Sequence, residues 1–156
     1  MNFKINFVAP KEAKSYLQNN KIFYSYYQTA AGKILVLSAD KGIFKATFDD
    51  HELEKYKNAI FVKNLDTSKI LLIGTDFQTK VWKSLLQIST KSISYQELAN
   101  KIGQPKSYRA VANALGQNNI AYFIPCHKVV RKNGELGGYK WGIEKKIKLL
   151  ETANIL

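Results

Sequence analysis

Cys126 and His127 are the residues of this chain best suited to chemistry, in the segment Phe123-Ile124-Pro125-Cys126-His127-Lys128-Val129-Val130-Arg131. A thiol is a poor nucleophile until it loses its proton, which a free cysteine does at a pKa of about 8.5. A neighbouring imidazole can take that proton, directly or through a water. Consecutive side chains of an extended segment point apart, so the adjacency predicts a bridging water. The apolar residues ahead of Cys126 predict a buried backbone. Cys126 is the single cysteine, so no intramolecular disulfide can form. With His51 and His127 as the two histidines, the sequence does not hold the ligands of a Cys/His zinc site. Neither a metal nor a cofactor is expected. By residue type alone, a lone cysteine is either a small buried hydrophobe or a nucleophile.

Charge points to the partner. Lys and Arg number 24 against 12 Asp and Glu, a formal net charge of +12. That balance predicts a polyanion: DNA, RNA or an acidic membrane surface. A lysine-rich genome is the bland alternative, since 22 of the cations are Lys and two are Arg. Against that background Arg109 and Arg131 stand out, because arginine offers a planar fork of donors. No run approaches the roughly 18 apolar residues of a membrane span. The first residues lack the basic-then-apolar order of a signal peptide, and one unpaired cysteine suits a reducing cytoplasm.

The elements that must position these residues follow from local pattern. Lys33–Ala39 and Ile43–Phe48 read as strands around an Asp40-Lys41-Gly42 turn, with Gly42 suited to a positive φ. Residues 50–59 read as a short helix capped by Asp49 or Asp50. Residues 62–73 have weak periodicity and read as a domain connection. From Thr75 the pattern turns helical, with Phe77, Val81, Trp82, Leu85 and Leu86 on one face. A second helix over Ser94–Ile102 opens with a capping box, Ser94 and Glu97, and ends at Gly103-Gln104-Pro105. A third runs from about Ser107 to Gly116. Helix, short break, helix is the shape of a helix-turn-helix, or of an ordinary helical corner. Ala110, Ala112 and Ala114 flank Arg109 and would let the backbone approach another surface closely. Trp82 and Trp141 read as core residues and His51 as an exposed one. The chain divides into an α/β domain over 1–70 and a mostly helical domain over 75–156.

The motifs together resemble the O6-alkylguanine-DNA alkyltransferases, repair proteins that take an alkyl group from guanine onto their own cysteine. The family's Pro-Cys-His-Arg-Val is here Pro125-Cys126-His127-Lys128-Val129. The resemblance extends through Phe77-Gln78-x-x-Val81-Trp82, Ser94-Tyr95-x-x-Leu98-Ala99, Arg109-Ala110-Val111-Ala112, Asn118, Gly138-Tyr139-x-Trp141-Gly142 and Lys146-x-x-Leu149-Leu150. It implies a ribonuclease-H-like N-terminal domain with a short antiparallel sheet, and a C-terminal domain with a helix-turn-helix. It implies Cys126 as nucleophile, His127 as its base, Tyr95 as donor to the leaving guanine and Asn118 as a brace. It implies Arg109 as the finger that fills the gap left by a flipped nucleotide. Tyr108, Ala110 and Ala112 would face the minor groove, and Gln78 and Gln96 would touch phosphates. Val129, Gly137 and Tyr139 would line the base pocket. The implied partner is duplex DNA containing O6-alkylguanine, met by a monomer without a cofactor.

The chain departs from the family pattern in places. The family's relay glutamate falls on Ala153, and Glu151 would face elsewhere on a helix, which predicts slower reaction. Ile88-Ser89-Thr90-Lys91 replaces an Ile-Pro-x-Gly turn, Asn118-Asn119 replaces Asn-Pro, and Lys128 replaces arginine. Two rival functions follow from the same residues. One is a non-catalytic sensor of alkylated DNA, of the alkyltransferase-like type. The other is a helix-turn-helix regulator, which needs base-reading side chains where this chain offers mostly Ala and Val.

Overall fold

A computed structural model of the chain describes Asn2 to Thr152. The described residues form two compact units. The first takes the chain up to Gln28, then Lys33–Thr75 and Asn119–Ala121. The second takes Thr29–Gly32, Asp76–Asn118 and the chain from Tyr122 onward. Among the described residues no helix is long and apolar enough to cross a membrane.

The first unit is built on a six-stranded sheet with strand order β1-β6-β4-β3-β2-β5. The strands are β1 (Lys4–Val8), β2 (Phe23–Thr29), β3 (Gly32–Ala39), β4 (Gly42–Thr47), β5 (Ile60–Phe61) and β6 (Lys69–Ile73). The β3–β4 pair is antiparallel, as the Asp40-Lys41-Gly42 turn predicts. Gly42 has φ of 126°, and a Cβ there would lie 2.6 Å from the Lys69 carbonyl carbon. A side chain would therefore push the turn off β6. The expected short antiparallel sheet is corrected to a mixed one: β6 runs parallel to β1 and β4, and β5 parallel to β2. Residues 69–73 are thus a strand inside the sheet rather than a connection. Their run Lys-Ile-Leu-Leu-Ile buries Ile70, Leu71 and Leu72 together, so it lacks the alternation that marks a half-buried strand.

One sheet face buries Val8, Leu35, Leu37, Phe44 and Leu71 beneath α1 (Pro10–Gln18) and the loop that follows β4. Pro10 starts α1 at a position where a missing N–H costs nothing. The expected helix over 50–59 is instead a 3-10 turn, Asp50–Lys55, capped by Asp49 accepting from the His51 N–H. Leu53, partly buried against the sheet core, is the one apolar residue of its six, too little to make an apolar stripe of α-helical length.

The second unit contains α2 (Asp76–Leu86), β7 (Ile93–Ser94), α3 (Tyr95–Lys101), α4 (Tyr108–Gly116), β8 (Val129–Val130) and α5 (Ile143–Thr152). The apolar face expected of α2 is inside at Val81, Trp82 and Leu85; α3 buries Leu98 and Ala99, and α4 buries Val111, Ala114 and Leu115, so Ala114 packs in the core instead of facing outward with Ala110 and Ala112. The Trp82 indole N–H donates to the Ala114 carbonyl at 2.8 Å, tying α2 to α4. The capping box forms in full, with the Ser94 hydroxyl accepting from the Glu97 N–H and the Glu97 carboxylate accepting from the Ser94 N–H. Asp76 is the first residue of α2. Ala153, where the relay glutamate was expected, lies outside the described residues.

Candidate active site

Two short strands assemble the site. β7 pairs in parallel with β8, Ile93 with Val129 and Ser94 with Val130. Ser94 is also the cap of α3, so the cap fixes Tyr95 at the start of that helix. Cys126 opens a 3-10 turn, Cys126–Lys128, that leads directly into β8. The pairing therefore brings the Tyr95 end of α3 to the Cys126 segment. Upstream, Tyr122 holds a φ of 70°, the one non-glycine residue among those described with a positive φ. Strain of that kind persists where surrounding structure enforces it.

Cys126 is 6% exposed and lines a cavity of about 800 Å³ with Tyr95, Tyr108, Ala112, Tyr139 and Lys140, among others. The side-chain N–H of Asn118, itself fully buried, donates to the Cys126 sulfur at 3.2 Å. Burial pushes the thiol pKa up. The Asn118 hydrogen bond and the ammonium groups of Lys146 and Lys140 act against that rise, because each favours the thiolate. His127 is buried as well, and burial, with Lys128 and Lys146 nearby, lowers its pKa to about 4. The resting pair is thus a neutral thiol beside a neutral imidazole. His127 Nδ1 has no hydrogen-bond partner among the described residues.

Lys146, on α5, is fully buried and donates to the carbonyls of Val129, Leu136 and Gly138. It pins β8 and the 136–138 segment to one point under the cavity. Burial lowers its pKa to about 8. The sequence reading missed this role. The available signal was spacing: Lys146 sits three and four residues before the buried Leu149 and Leu150, on the apolar face of α5. Lys140 was missed too. It donates to the Asn118 carbonyl at 3.0 Å, with its ammonium 5.3 Å from the Trp141 ring centre.

The sequence-derived candidates fall into three groups. Cys126, Tyr95, Gln96, Tyr108, Ala112 and Tyr139 line the cavity, and Asn118 stands in contact with the Cys126 sulfur. Burial raises the Tyr95 and Tyr139 pKa values, so both remain phenols. The Tyr139 ring stands edge-on to His127 and to Trp141. Gly137 and Val129 adjoin this group. Gly137 has φ of 70°, and a Cβ there would meet the Tyr95 hydroxyl at 2.8 Å. Val129 is buried in β8. Arg109 and Ala110 do not line the cavity. They are exposed on α4, with the Arg109 guanidinium 5.9 Å from the Tyr108 ring centre. Gln78 is half-buried on α2, also off the cavity. Gln96 donates to Asn100 Oδ1 and the Pro105 carbonyl. Trp82 is buried in the core, Trp141 is half-buried and His51 is exposed. No group of metal-ligating side chains occurs among the described residues.

The sequence model of the 6-O-methylguanine DNA methyltransferase DNA-binding domain matches residues 76–155. The chain belongs to the 6-O-methylguanine DNA methyltransferase family. A relative in Acanthamoeba polyphaga mimivirus, named as a probable methylated-DNA–protein-cysteine methyltransferase, is 42% identical over 134 residues, 84% of this chain and 87% of that one. The methylated-DNA–protein-cysteine methyltransferase of Kluyveromyces lactis is 50% identical over 80 residues, 51% of this chain and 42% of that protein. This chain therefore matches less than half the length of the yeast relative. Among solved structures, Mycobacterium tuberculosis OGT in complex with DNA superposes with a TM-score of 0.69 at 27% identity, covering 85% of this chain and 93% of that one. Members of the family thus share both the sequence of the second unit and a fold spanning most of the chain.

Proposed function

We propose that this protein repairs DNA by transferring the alkyl group of O6-alkylguanine onto Cys126, once per molecule. The observation that carries this reading is Cys126 itself. In a chain of the methyltransferase family it lies in a cavity wall, with its sulfur held by Asn118. His127 is neutral at pH 7 and takes the thiol proton through a bridging water. The sulfur attacks the alkyl carbon in line, the carbon–O6 bond breaks, and the departing guanine receives a proton from Tyr95. The products are a thioether and guanine. The thioether is stable, and the chain has no second cysteine to take the group onward. The exchange needs no cofactor, because every bond made or broken belongs to the protein, the base or water.

Duplex DNA is the partner, supported by the net charge of +12 and by the likeness to an OGT bound to DNA. In this reading α3 and α4 act as a helix-turn-helix on the minor groove. Tyr108, Ala110 and Ala112 face the groove, and Gln78 and Gln96 lie near phosphates. Arg109 fills the gap left by a flipped base, offsetting part of the stacking lost. The exposure of Tyr108 to Ala110 and Ala112, opposite the buried Val111 and Leu115, supports this orientation. Residues 75–156 carry the reaction and 1–70 support it, the latter as a ribonuclease-H-like unit. The mixed sheet, an antiparallel pair extended by parallel strands, supports that likeness. The protein works as a monomer in a reducing cytoplasm, where a lone thiol persists.

Intact mass after mixing with a duplex carrying one O6-methylguanine tests the proposal. The expected result is a gain of one CH2, mapped to Cys126 and absent from Cys126→Ser. Retained preference for the damaged duplex without any mass gain would overturn alkyl transfer in favour of a sensor.

A further inference from the structure

The first unit holds a cavity of its own, of about 680 Å³, walled by the end of α1 with the loop after it and by residues 55–60. Lys14, Lys21, Lys55 and Lys57 line it, and among the described residues no Asp or Glu does. Glu52 engages Lys55 at 3.1 Å. Lys14, Lys21 and Lys57 are exposed and enter none of the ion pairs among the described residues. Ile60, at the end of the wall, begins β5, the edge strand of the sheet. Beside it Phe61 is 55% exposed. Backbone bonds fix its position: the Ile60 N–H donates to the Ile22 carbonyl at 2.9 Å, and the Val62 N–H to the Tyr24 carbonyl at 3.0 Å. The Phe61 ring stands edge-on to Tyr24, with centres 5.6 Å apart, and Tyr24 edge-on to Tyr26 at 6.2 Å. The Lys33 ammonium lies 4.4 Å from the centre of the Tyr26 ring. A row of three held aromatic rings thus follows the cationic cavity and ends at a further cation.

We infer that this surface of the first unit binds single-stranded DNA, with phosphates at the cavity lysines and an unpaired base against Phe61. Ammonium groups attract the phosphates whatever the sequence. An exposed aromatic ring stacks on any base, because every base has a π-face. Duplex DNA suits only half of this surface, since its base faces are already covered by one another and Phe61 would meet backbone. A second copy of the chain docked face to face would set the lysine cluster against itself, and like charges repel. The choice of DNA over RNA rests on the reading of DNA as the partner. The contact itself uses neither Cys126 nor the transfer of an alkyl group, because all of its residues belong to the first unit.

Fluorescence anisotropy of the full chain with labelled oligo(dT), and with an undamaged duplex of equal length, tests the site. Lys14→Gln, Lys21→Gln and Lys57→Gln together are expected to weaken oligo(dT) binding about tenfold and to leave duplex binding nearly as it was. They should also flatten the logarithmic salt dependence for oligo(dT) by about 2, the counterion release of three phosphate contacts. Phe61→Ala is expected to weaken oligo(dT) binding about tenfold, whereas Phe61→Trp keeps or tightens it. Equal weakening of both DNAs by the lysine substitutions would overturn a single-strand site in favour of general attraction. Equal losses in Phe61→Ala and Phe61→Trp would overturn stacking at Phe61. Unchanged oligo(dT) binding in the lysine and alanine variants, with duplex binding intact, would overturn the site alone. Tighter binding of oligo(U) than of oligo(dT) would overturn the choice of DNA. Failure of the unsubstituted protein to bind either DNA would overturn the reading of DNA as the partner.

Discussion

The two units bury different chemistry. Inside the first lie aliphatic and aromatic side chains, and its buried polar side chains are the hydroxyls of Ser25, Ser38 and Thr47. Inside the second lie a thiol, an imidazole, a carboxamide and an ammonium, from Cys126, His127, Asn118 and Lys146. Two buried polar atoms there, His127 Nδ1 and the Tyr139 hydroxyl, have no partner among the described residues. An unsatisfied buried polar group costs about 1–3 kcal/mol. The first unit is therefore organised for stability, while the second tolerates destabilising groups that only a reaction would justify.

Substitutions can break that contrast, beginning where the effect is greatest. Cys126→Ser should abolish transfer completely while leaving thermal stability close to that of the unsubstituted protein, as read by mass spectrometry and calorimetry. Leu35→Ala, in the apolar core of the first unit, should do the reverse. It should cost about 2–5 kcal/mol in urea unfolding, with the extent of transfer per folded molecule unchanged.

Acid should separate the units next. The His127 pKa of about 4 lies below its ordinary 6.5. The unfolded chain therefore binds the proton first, and the associated stability is complete above pH 6.5 and is lost progressively down to pH 4. Between pH 7 and pH 5 the second unit should lose about 2 kcal/mol. In His127→Gln that part of the pH dependence should vanish. Equal pH dependence in the two proteins would show that His127 is not held neutral by burial.

The smallest effects come from one substitution made twice. Gly42→Ala meets the backbone of Lys69 and Ile70, which cannot yield, so it should destabilise the sheet by about 2 kcal/mol. Gly137→Ala meets the Tyr95 phenol, which can shift, so it should cost less stability and slow transfer about tenfold. Equal effects of both on rate would erase the distinction between frame and site.

How much of this was legible in the sequence follows the same division. The β3–β4 hairpin and helices α2 to α4 could be read because their signals are local: a turn with glycine, a 3.6-residue period, a capping box. β6 could not, because burial on both faces removes alternation. The 50–59 segment misled because its apolar residues, Leu53, Tyr56 and Ala59, are only partly buried against the sheet core, too little to hold a full α-helix. Within the site, Cys126 and Tyr95 could be read from their motifs. Lys146 was legible in the Lys146-x-x-Leu149-Leu150 motif, but its role stayed hidden, because Lys145 and Lys148 beside it suggest a solvated face. Only its three carbonyl acceptors reveal why an ammonium is inside.

Asn119–Ala121 belong to the first unit, although α4 precedes them and the Cys126 segment follows. They are stitched to its sheet by backbone bonds, Ala46 N–H to Asn119 and Ala121 N–H to Ala46, at 2.9 and 2.8 Å. The molecule is thus interleaved along its own sequence. A scissor cut after Thr75 would not yield two self-sufficient halves, since the upstream fragment would lack a stitch and the downstream one would carry three residues with nothing to sew into. Engineering a minimal reactive fragment from this protein would mean redesigning that loop first.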